Sequence, residues 1–216
     1  MKTLYLVRHG ETLLNLLNRS QGWADSPLTE KGAEQASKLG RALKKNGISF
    51  DAAYTSDAGR ARETAKLVLL GAESQTVPLI ETTDLREVAF GSFEGVDNDQ
   101  MWEAAGTAVG ESGMSRKSPI ERKLKALSGI KQLDTIHYAE SAVQINTRID
   151  HFIKQIVQTE ANHLLLVSHS LMICCILHHL IPEGLRIDRV PNASVTKIRL
   201  EQQHYLLDYI GRTDQF

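Results

Sequence analysis

Leu4-Tyr5-Leu6-Val7-Arg8-His9-Gly10-Glu11-Thr12 is the stretch from which the fold of this chain is read. Its four apolar residues, partly β-branched or aromatic, read as a buried strand, and they run without a spacer into a cation, an imidazole and a glycine. In an open parallel sheet, ligands bind beyond the carboxyl ends of the strands, which is where Arg8 and His9 fall. A second stretch does the same far downstream. His163-Leu164-Leu165-Leu166-Val167 is a short apolar run that delivers Ser168-His169-Ser170 ahead of a helical pattern. Two strands that each carry a histidine to one edge make a stronger case for a site than either alone.

Between these strands, helical and extended patterns alternate. Residues 10–28 lack a sustained helical period and form a long connection, of the kind that often carries function. Thr29 reads as a helix N-cap, with Ala33, Ala36, Leu39 and Leu43 as the inner stripe and Gly47 just past the last turn. Residues 50–54 and 77–80 read as the second and third strands. Thr55-Ser56-Asp57 can cap a helix that starts near Ala58 and runs to Gly71, with Arg60 in its first turn. A cation is unfavourable at the positive end of a helix dipole, so Arg60 invites an anionic partner.

Residues 97–139 are the least regular part, punctuated by Gly106, Gly110 and Gly113 and carrying Arg116, Lys117, Arg122, Lys123 and Lys125. They read as a partly helical excursion that forms a cap or lid beside the site, without the apolar content of a separate domain. Residues 140–159 carry the apolar period of an amphipathic helix, from Val143 through Ile145, Ile149, Phe152, Ile153 and Ile156 to Val157. A helix over about 171–180, ended by Pro182, and strands over 193–200 and 205–210 complete the chain. Strand–helix alternation implies right-handed crossovers and an α/β fold whose strand ends gather on one edge.

The 216 residues, 42% hydrophobic and 24% charged, suit one globular domain spanning 1–216. Lys and Arg number 25 against 26 Asp and Glu, so the balance gives no electrostatic case for nucleic acid or membrane binding. Any anion recognition must be local. The two cysteines, Cys174 and Cys175, are adjacent in an apolar run and fit no disulfide framework or metal-ligand spacing. The first apolar run stops at Arg8, too short for a secretory leader, and the expected location is cytoplasmic.

Arg8, His9, Arg60, Glu87 and His169 all fall at or just beyond expected strand ends. Two imidazoles, two guanidiniums and a carboxylate suit a phosphoryl group: arginines grip its oxygens, a neutral histidine nitrogen attacks phosphorus, and a carboxylic acid protonates the departing alkoxide. Taken singly, each has an ordinary reading. His9 could be a strand-end histidine satisfied by a carbonyl, and Arg60 a solvated helix arginine, as Arg62 reads. Glu87 competes with Glu81, Asp84 and Glu94. His137, His178 and His179 read as surface or interfacial residues rather than metal ligands, and the two cysteines as core. The basic run from Arg116 to Lys125 reads first as a solvated face and second as a contact for another charged group on a substrate.

Four motifs in order then carry a resemblance. Leu6 to Thr12 with Asn15 and the segment Gln21-Gly22-Trp23-Ala24-Asp25-Ser26-Pro27-Leu28-Thr29 resemble the opening of the histidine phosphatase superfamily, also called phosphoglycerate mutase-like. Ser56 to Ala65 resembles its second motif, Leu85-Arg86-Glu87 with 91–95 its third, and Val167-Ser168-His169 its fourth. The resemblance implies a three-layer αβα sandwich with a mostly parallel central sheet, helices on both faces and a small cap insertion at about 97–139. It further implies a histidine acid phosphatase-type phosphomonoester hydrolase needing no metal or cofactor and acting on a phosphorylated small molecule. His9 would be the nucleophile that becomes a phosphohistidine, and Glu87 the proton donor. Arg8, Asn15, Gln21, Gly22, Arg60, His169 and Ser170 would bind the phosphate or substrate, and a homodimer is left open.

Two positions depart from the family pattern: Ala58 stands where leucine is usual, and Ser170 where glycine commonly follows the second histidine. Neither removes a group that the reaction needs. In the mutase branch the third motif reads Glu-Arg-His-Tyr-Gly, whereas this chain has Leu85-Arg86-Glu87-Val88-Ala89-Phe90-Gly91, which resembles the phosphatase branch. The alternatives are a cofactor-dependent phosphoglycerate mutase and an inactive module that binds a phosphorylated ligand.

Overall fold

The computed structural model describes residues 1–181 and 185–216, so the expected helix stop at Pro182 lies outside the described residues. Its strands are β1 (Lys2–Arg8), β2 (Ala52–Ser56), β3 (Leu79–Thr82), β4 (His163–Ser168), β5 (Val195–Glu201) and β6 (His204–Arg212). They form one sheet in the order β3-β2-β4-β1-β5-β6. The first four are parallel, and the β5–β6 hairpin adds an antiparallel edge beside β1. The sheet is thus mostly parallel, as expected, with a mixed edge. Register matters most at its centre. Arg8 stands opposite Ser168, and the His9 amide donates to the Ser168 carbonyl at 3.0 Å, so the two histidine-bearing strand ends lie side by side.

The helices are α1 (Leu13–Leu16), α2 (Glu30–Lys45), α3 (Gly59–Gly71), α4 (Asn98–Ala108), α5 (Ile120–Leu133), α6 (Ala142–Gln158) and α7 (Ser170–Leu180). Alternate strand residues point to opposite faces, and this sorts the core into two layers. Tyr5, Val7, Leu165 and Val167 pack against Ala36, Leu39 and Leu43 of α2 and Ala61, Ala65 and Val68 of α3. Leu4, Leu6, Leu164 and Leu166 pack on the other face against residues of α4, α5, α6 and α7. The result is the αβα sandwich that the resemblance implied.

Several boundaries differ from the sequence reading. β2 and β3 each begin two residues later than the apolar runs that marked them. Phe50 is buried with its ring edge-on to Tyr5 at 5.5 Å, yet the strand starts at Ala52, where pairing with Leu164 of β4 begins. Apolar patterning reports burial, while a strand's limits follow its hydrogen-bonded partner. The connection 10–28 contains the four-residue α1, too short to show a helical period. Val143 and Val157 of α6 face solvent, and Ile145, Ile149, Phe152 and Ile156 carry its buried stripe. Ser141 and Gln144 form a capping box at its start.

Other expectations hold with detail added. Thr29 caps α2 by accepting from the Gly32 amide at 3.0 Å. The start of α3 is capped partly from a distance: Ser56 Oγ accepts from Ala58 N at 3.3 Å, and Asp25 Oδ2 accepts from Gly59 N at 2.6 Å. Residues 97–139 hold α4 and α5, whose Met101, Trp102, Ala105, Ile120, Leu127 and Ile130 join the apolar cluster on the sheet. After β1 the chain passes tightly against α2. A Cβ on Gly10 would lie 2.4 Å from the Gly32 carbonyl oxygen, and one on Gly32 would lie 2.0 Å from that of Glu11. Two glycines let the histidine loop sit directly on the helix.

Candidate active site

The ends of β1 and β4 open into a pocket of about 270 Å³. Arg8, His9, Asn15, Gln21, Glu87 and Ser170 line its wall, and Arg60 and His169 lie behind them. His9 is 3% exposed, and its Nδ1 is 2.7 Å from the Gly10 carbonyl. A carbonyl can only accept, so Nδ1 carries the proton and Nε2 keeps its lone pair. Burial, reinforced by the nearby Arg60 and Arg8 guanidiniums, pushes the His9 ring well below the ordinary histidine value. The ring is therefore neutral near pH 7, with the Nε2 lone pair available.

His169 is fully buried with its ring centroid 5.2 Å from that of His9. Arg60 Nε donates to His169 Nδ1 at 3.2 Å, which fixes the opposite tautomer and leaves Nε2 as a donor. Arg60, 1% exposed, also donates to the carbonyls of Gly22 and Ala24 and to Asp25 Oδ1, at 2.8, 3.0 and 2.8 Å. Four of its five N–H groups are thereby engaged, and one is left for a ligand. Arg8 donates to the Val190 carbonyl at 2.7 Å. Burial lowers its pKa to about 10, so it stays charged near neutral pH.

Two buried atoms show what the pocket can recognise. Among the described residues, Arg8 Nε and His169 Nε2 are buried side-chain donors with no acceptor. Buried donors almost always have partners, and these two would be satisfied by an oxyanion between them. Glu87 brings a buried carboxyl to the same pocket. Its Oε1 accepts from the Val88 and Met172 amides at 3.0 and 2.8 Å, and its Oε2 from Leu171 at 3.1 Å, at the start of α7. Those amides and Arg60 favour the carboxylate, but burial outweighs them and raises the Glu87 pKa. The competing carboxylates have other employment: Glu81 pairs with Arg62 on the surface, Asp84 bonds His151, and Glu94 holds the amides of Gly22, Trp23 and Ala24.

The remaining expected residues divide. Asn15 lines the pocket and accepts at Oδ1 from Asn192 Nδ2 at 3.0 Å. Gln21 lines it too, oriented by Thr12 Oγ1 and Ser26. Ser170 lines it with its hydroxyl tied to Val190. Gly22 is not brought to the lining: its amide is spent on Glu94 and its carbonyl on Arg60. Cys174 and Cys175 are buried, and burial pushes the Cys174 thiol up to about 12, so neither is reactive. His179 pairs with Asp150 away from the site.

Sequence reasoning did not single out Asn192, Arg19 or Arg189, which also line the pocket. Asn192 bonds both the His9 carbonyl and Asn15, each at 3.0 Å. It sits in an irregular loop, and no local pattern marks it. Of the basic run, Arg116 and Lys123 reach the pocket wall. Lys123 is 4% exposed and donates to the carbonyls of Arg116 and Asp188, which ties the cap to the loop after α7.

A 2,3-bisphosphoglycerate-dependent phosphoglycerate mutase of Bartonella henselae is 42% identical over 100 residues, 46% of this chain and 48% of the relative. One of Hamiltonella defensa is 43% identical over 46% of this chain and 40% of its own. The matched region thus spans at most about half the length of either curated relative. Among solved structures, a phosphoglycerate mutase from Bacillus anthracis superposes with a TM-score of 0.88 at 38% identity, covering 98% of this chain and 93% of that one. An Escherichia coli protein described as an alpha-ribazole-5'-P phosphatase superposes at 0.75 with 25% identity, covering 100% and 98%. The family model of the histidine phosphatase superfamily (branch 1) matches residues 4–213, and this chain belongs to that superfamily.

Proposed function

We propose that this protein is a phosphatase that hydrolyses a phosphate monoester through a phosphohistidine on His9, without a metal ion. The observation that carries the reading is the pair of orphaned donors, Arg8 Nε and His169 Nε2, beside a neutral His9 whose Nε2 is free. The monoester phosphate takes up these donors together with the spare N–H of Arg60 and with Asn15. His9 Nε2 attacks phosphorus, the P–O bond to the leaving group breaks, and the protonated Glu87 carboxyl gives its proton to the departing oxygen. Water then attacks the phosphohistidine with Glu87 as base, releasing inorganic phosphate and restoring both groups. The fixed cations stabilise the charge that builds on the equatorial oxygens.

Water as the acceptor is supported by the third motif, Leu85-Arg86-Glu87-Val88-Ala89-Phe90-Gly91, which departs from the mutase pattern. The names of the curated relatives favour the second reading, a phosphoglycerate mutase that returns the phosphoryl group to a bound phosphoglycerate. The rim bears on the substrate in either case. Arg19, Arg116 and Arg189 are exposed on three separate segments of the lining, and their guanidiniums bond no acceptor among the described residues. They favour a substrate with a second anionic group.

The test is release of inorganic phosphate from a panel of monoesters by wild type and His9→Ala, with and without chelator, alongside a primer-dependent mutase assay. The phosphatase reading expects chelator-insensitive release, abolished in His9→Ala and fastest for esters that carry a carboxylate or second phosphate. Primer-dependent isomerisation with little release would establish the mutase instead. Silence in both assays, with phosphate still binding, would favour a binding module.

A further inference from the structure

The segment that carries Glu87 has no regular secondary structure from Arg86 to Phe90, so no ladder of backbone bonds holds it. Arg148 of α6 grips it at several points, beside Trp23 Nε1, which donates to the Glu87 carbonyl at 3.0 Å, and the α7 amides that hold the Glu87 carboxylate. Arg148 Nε and Nη2 donate to the two carboxylate oxygens of Glu140 at 2.7 and 2.8 Å. Its Nη1 donates to the carbonyls of Asp84 and Arg86 at 2.9 and 3.1 Å, and Nη2 also reaches that of Glu87 at 3.3 Å. All five N–H groups are in use. Glu140 completes the clamp on the far side of Glu87: its Oε2 accepts from the Ala89 amide at 2.9 Å, and its own amide donates to the Ala89 carbonyl at 3.1 Å.

The pair is largely buried, with side-chain exposures of 15% and 9%. Arg148 grips the carbonyls up to residue 87 and Glu140 takes the amide of residue 89, so the pair brackets the backbone around Glu87. The Glu87 carboxyl is then aimed from a rigid base toward α7 and the pocket. A lysine could not replace it, because an ammonium has three donors and cannot present the planar fork.

The geometry points to Arg148 and Glu140 as positioning residues that hold the proton donor Glu87 in register with the leaving-group oxygen. This rests on the reading of Glu87 as the acid. A misplaced acid has a chemical signature that general damage lacks: it slows esters whose leaving groups need a proton and spares those that leave as stable anions.

The experiment measures kcat/KM, which reports only the steps up to phosphoenzyme formation, for 4-nitrophenyl phosphate and for an alkyl phosphate. Wild type is compared with Arg148→Lys, Glu140→Gln and Glu87→Gln, with folding checked by circular dichroism and melting. General-acid catalysis contributes on the order of 100-fold or more, and partial loss of its aim is expected to cost the alkyl ester at least about tenfold in Arg148→Lys. The 4-nitrophenyl ester should change by less than about threefold, since its leaving group needs little protonation. Glu140→Gln, which keeps the shape of the pair, serves if Arg148→Lys fails to fold, and should show the same selectivity. Equal losses on both esters, or no loss on either, would overturn the proposal provided Glu87→Gln shows the selective loss. If Glu87→Gln itself shows no selectivity, the assignment of the acid fails instead.

Discussion

Two buried neutral histidines at the centre of the site make the stability of this protein depend on pH in a calculable way. His9 and His169 are both pushed well below the ordinary histidine value, by burial first and then by Arg60 and, for His169, by His9 itself. An unfolded chain protonates these rings at about pH 6.5, so below that pH the unfolded state binds more protons than the folded one. The stability they contribute is present above pH 6.5 and is lost as pH falls. The unfolded value alone sets a ceiling of about 2 kcal/mol lost for each ring between pH 7 and 5. Glu87 works in the opposite sense, because burial raises its pKa, and its contribution declines as pH rises. The wild-type slope will therefore be somewhat shallower than the histidines alone dictate. Asp134, pushed far down by amides of the surrounding loop, loses its contribution only below the ordinary aspartate range and stays outside this window. Urea unfolding at pH 5, 6 and 7, at fixed salt, is the assay, with His9→Asn and His169→Asn as comparisons. Each variant should reduce the difference between pH 7 and 5, by at most about 2 kcal/mol, whatever its absolute stability. Slopes in both variants equal to the wild-type slope would refute the claim that the site histidines are held neutral.

Further outcomes follow from single contacts. Phe152 is 2% exposed and stacks edge-on against Tyr54 at 5.6 Å, so Phe152→Ala should cost about 3–5 kcal/mol in urea unfolding; a cost under 1 kcal/mol would mean that α6 does not pack as described. Gly32→Ala drives a methyl into the Glu11 carbonyl, with 2.0 Å available, and should destabilise by about 1–3 kcal/mol and slow turnover by displacing the His9 loop. Retention of wild-type melting and activity would contradict that close approach. Arg60→Lys keeps the charge but cannot reach Gly22, Ala24, Asp25 and His169 together, and should lower phosphate release on the order of 100-fold, read by initial rates.

Most of the site was legible because its chemistry sits at the ends of strands. A buried apolar run must stop where the chain turns polar, so Arg8, His9 and His169 announce themselves by ending such runs. Arg60 stood out as a cation at a helix start, against the dipole. In the sequence only motif position separates Glu87 from its neighbours, and the structure gives the physical distinction: it is buried at the start of α7, while Glu81 lies on the surface and Asp84 and Glu94 are engaged elsewhere.

The sequence by itself determined the α/β alternation, the central buried strands, and which strand ends carry the histidines and cations, since these depend on local periodicity and on residue type. Tertiary structure alone decided the strand limits, because β2 begins where β4 offers a partner rather than where apolar residues begin. It alone decided that Asp25 caps α3 while holding Arg60, that Asn192 steadies Asn15, and that Gly22 turns its amide to Glu94. It alone brought Arg148 to the loop of Glu87, 61 residues away in the chain. A hydrogen bond between side chain and backbone needs only proximity and direction, and neither is written in the spacing of residues along the chain.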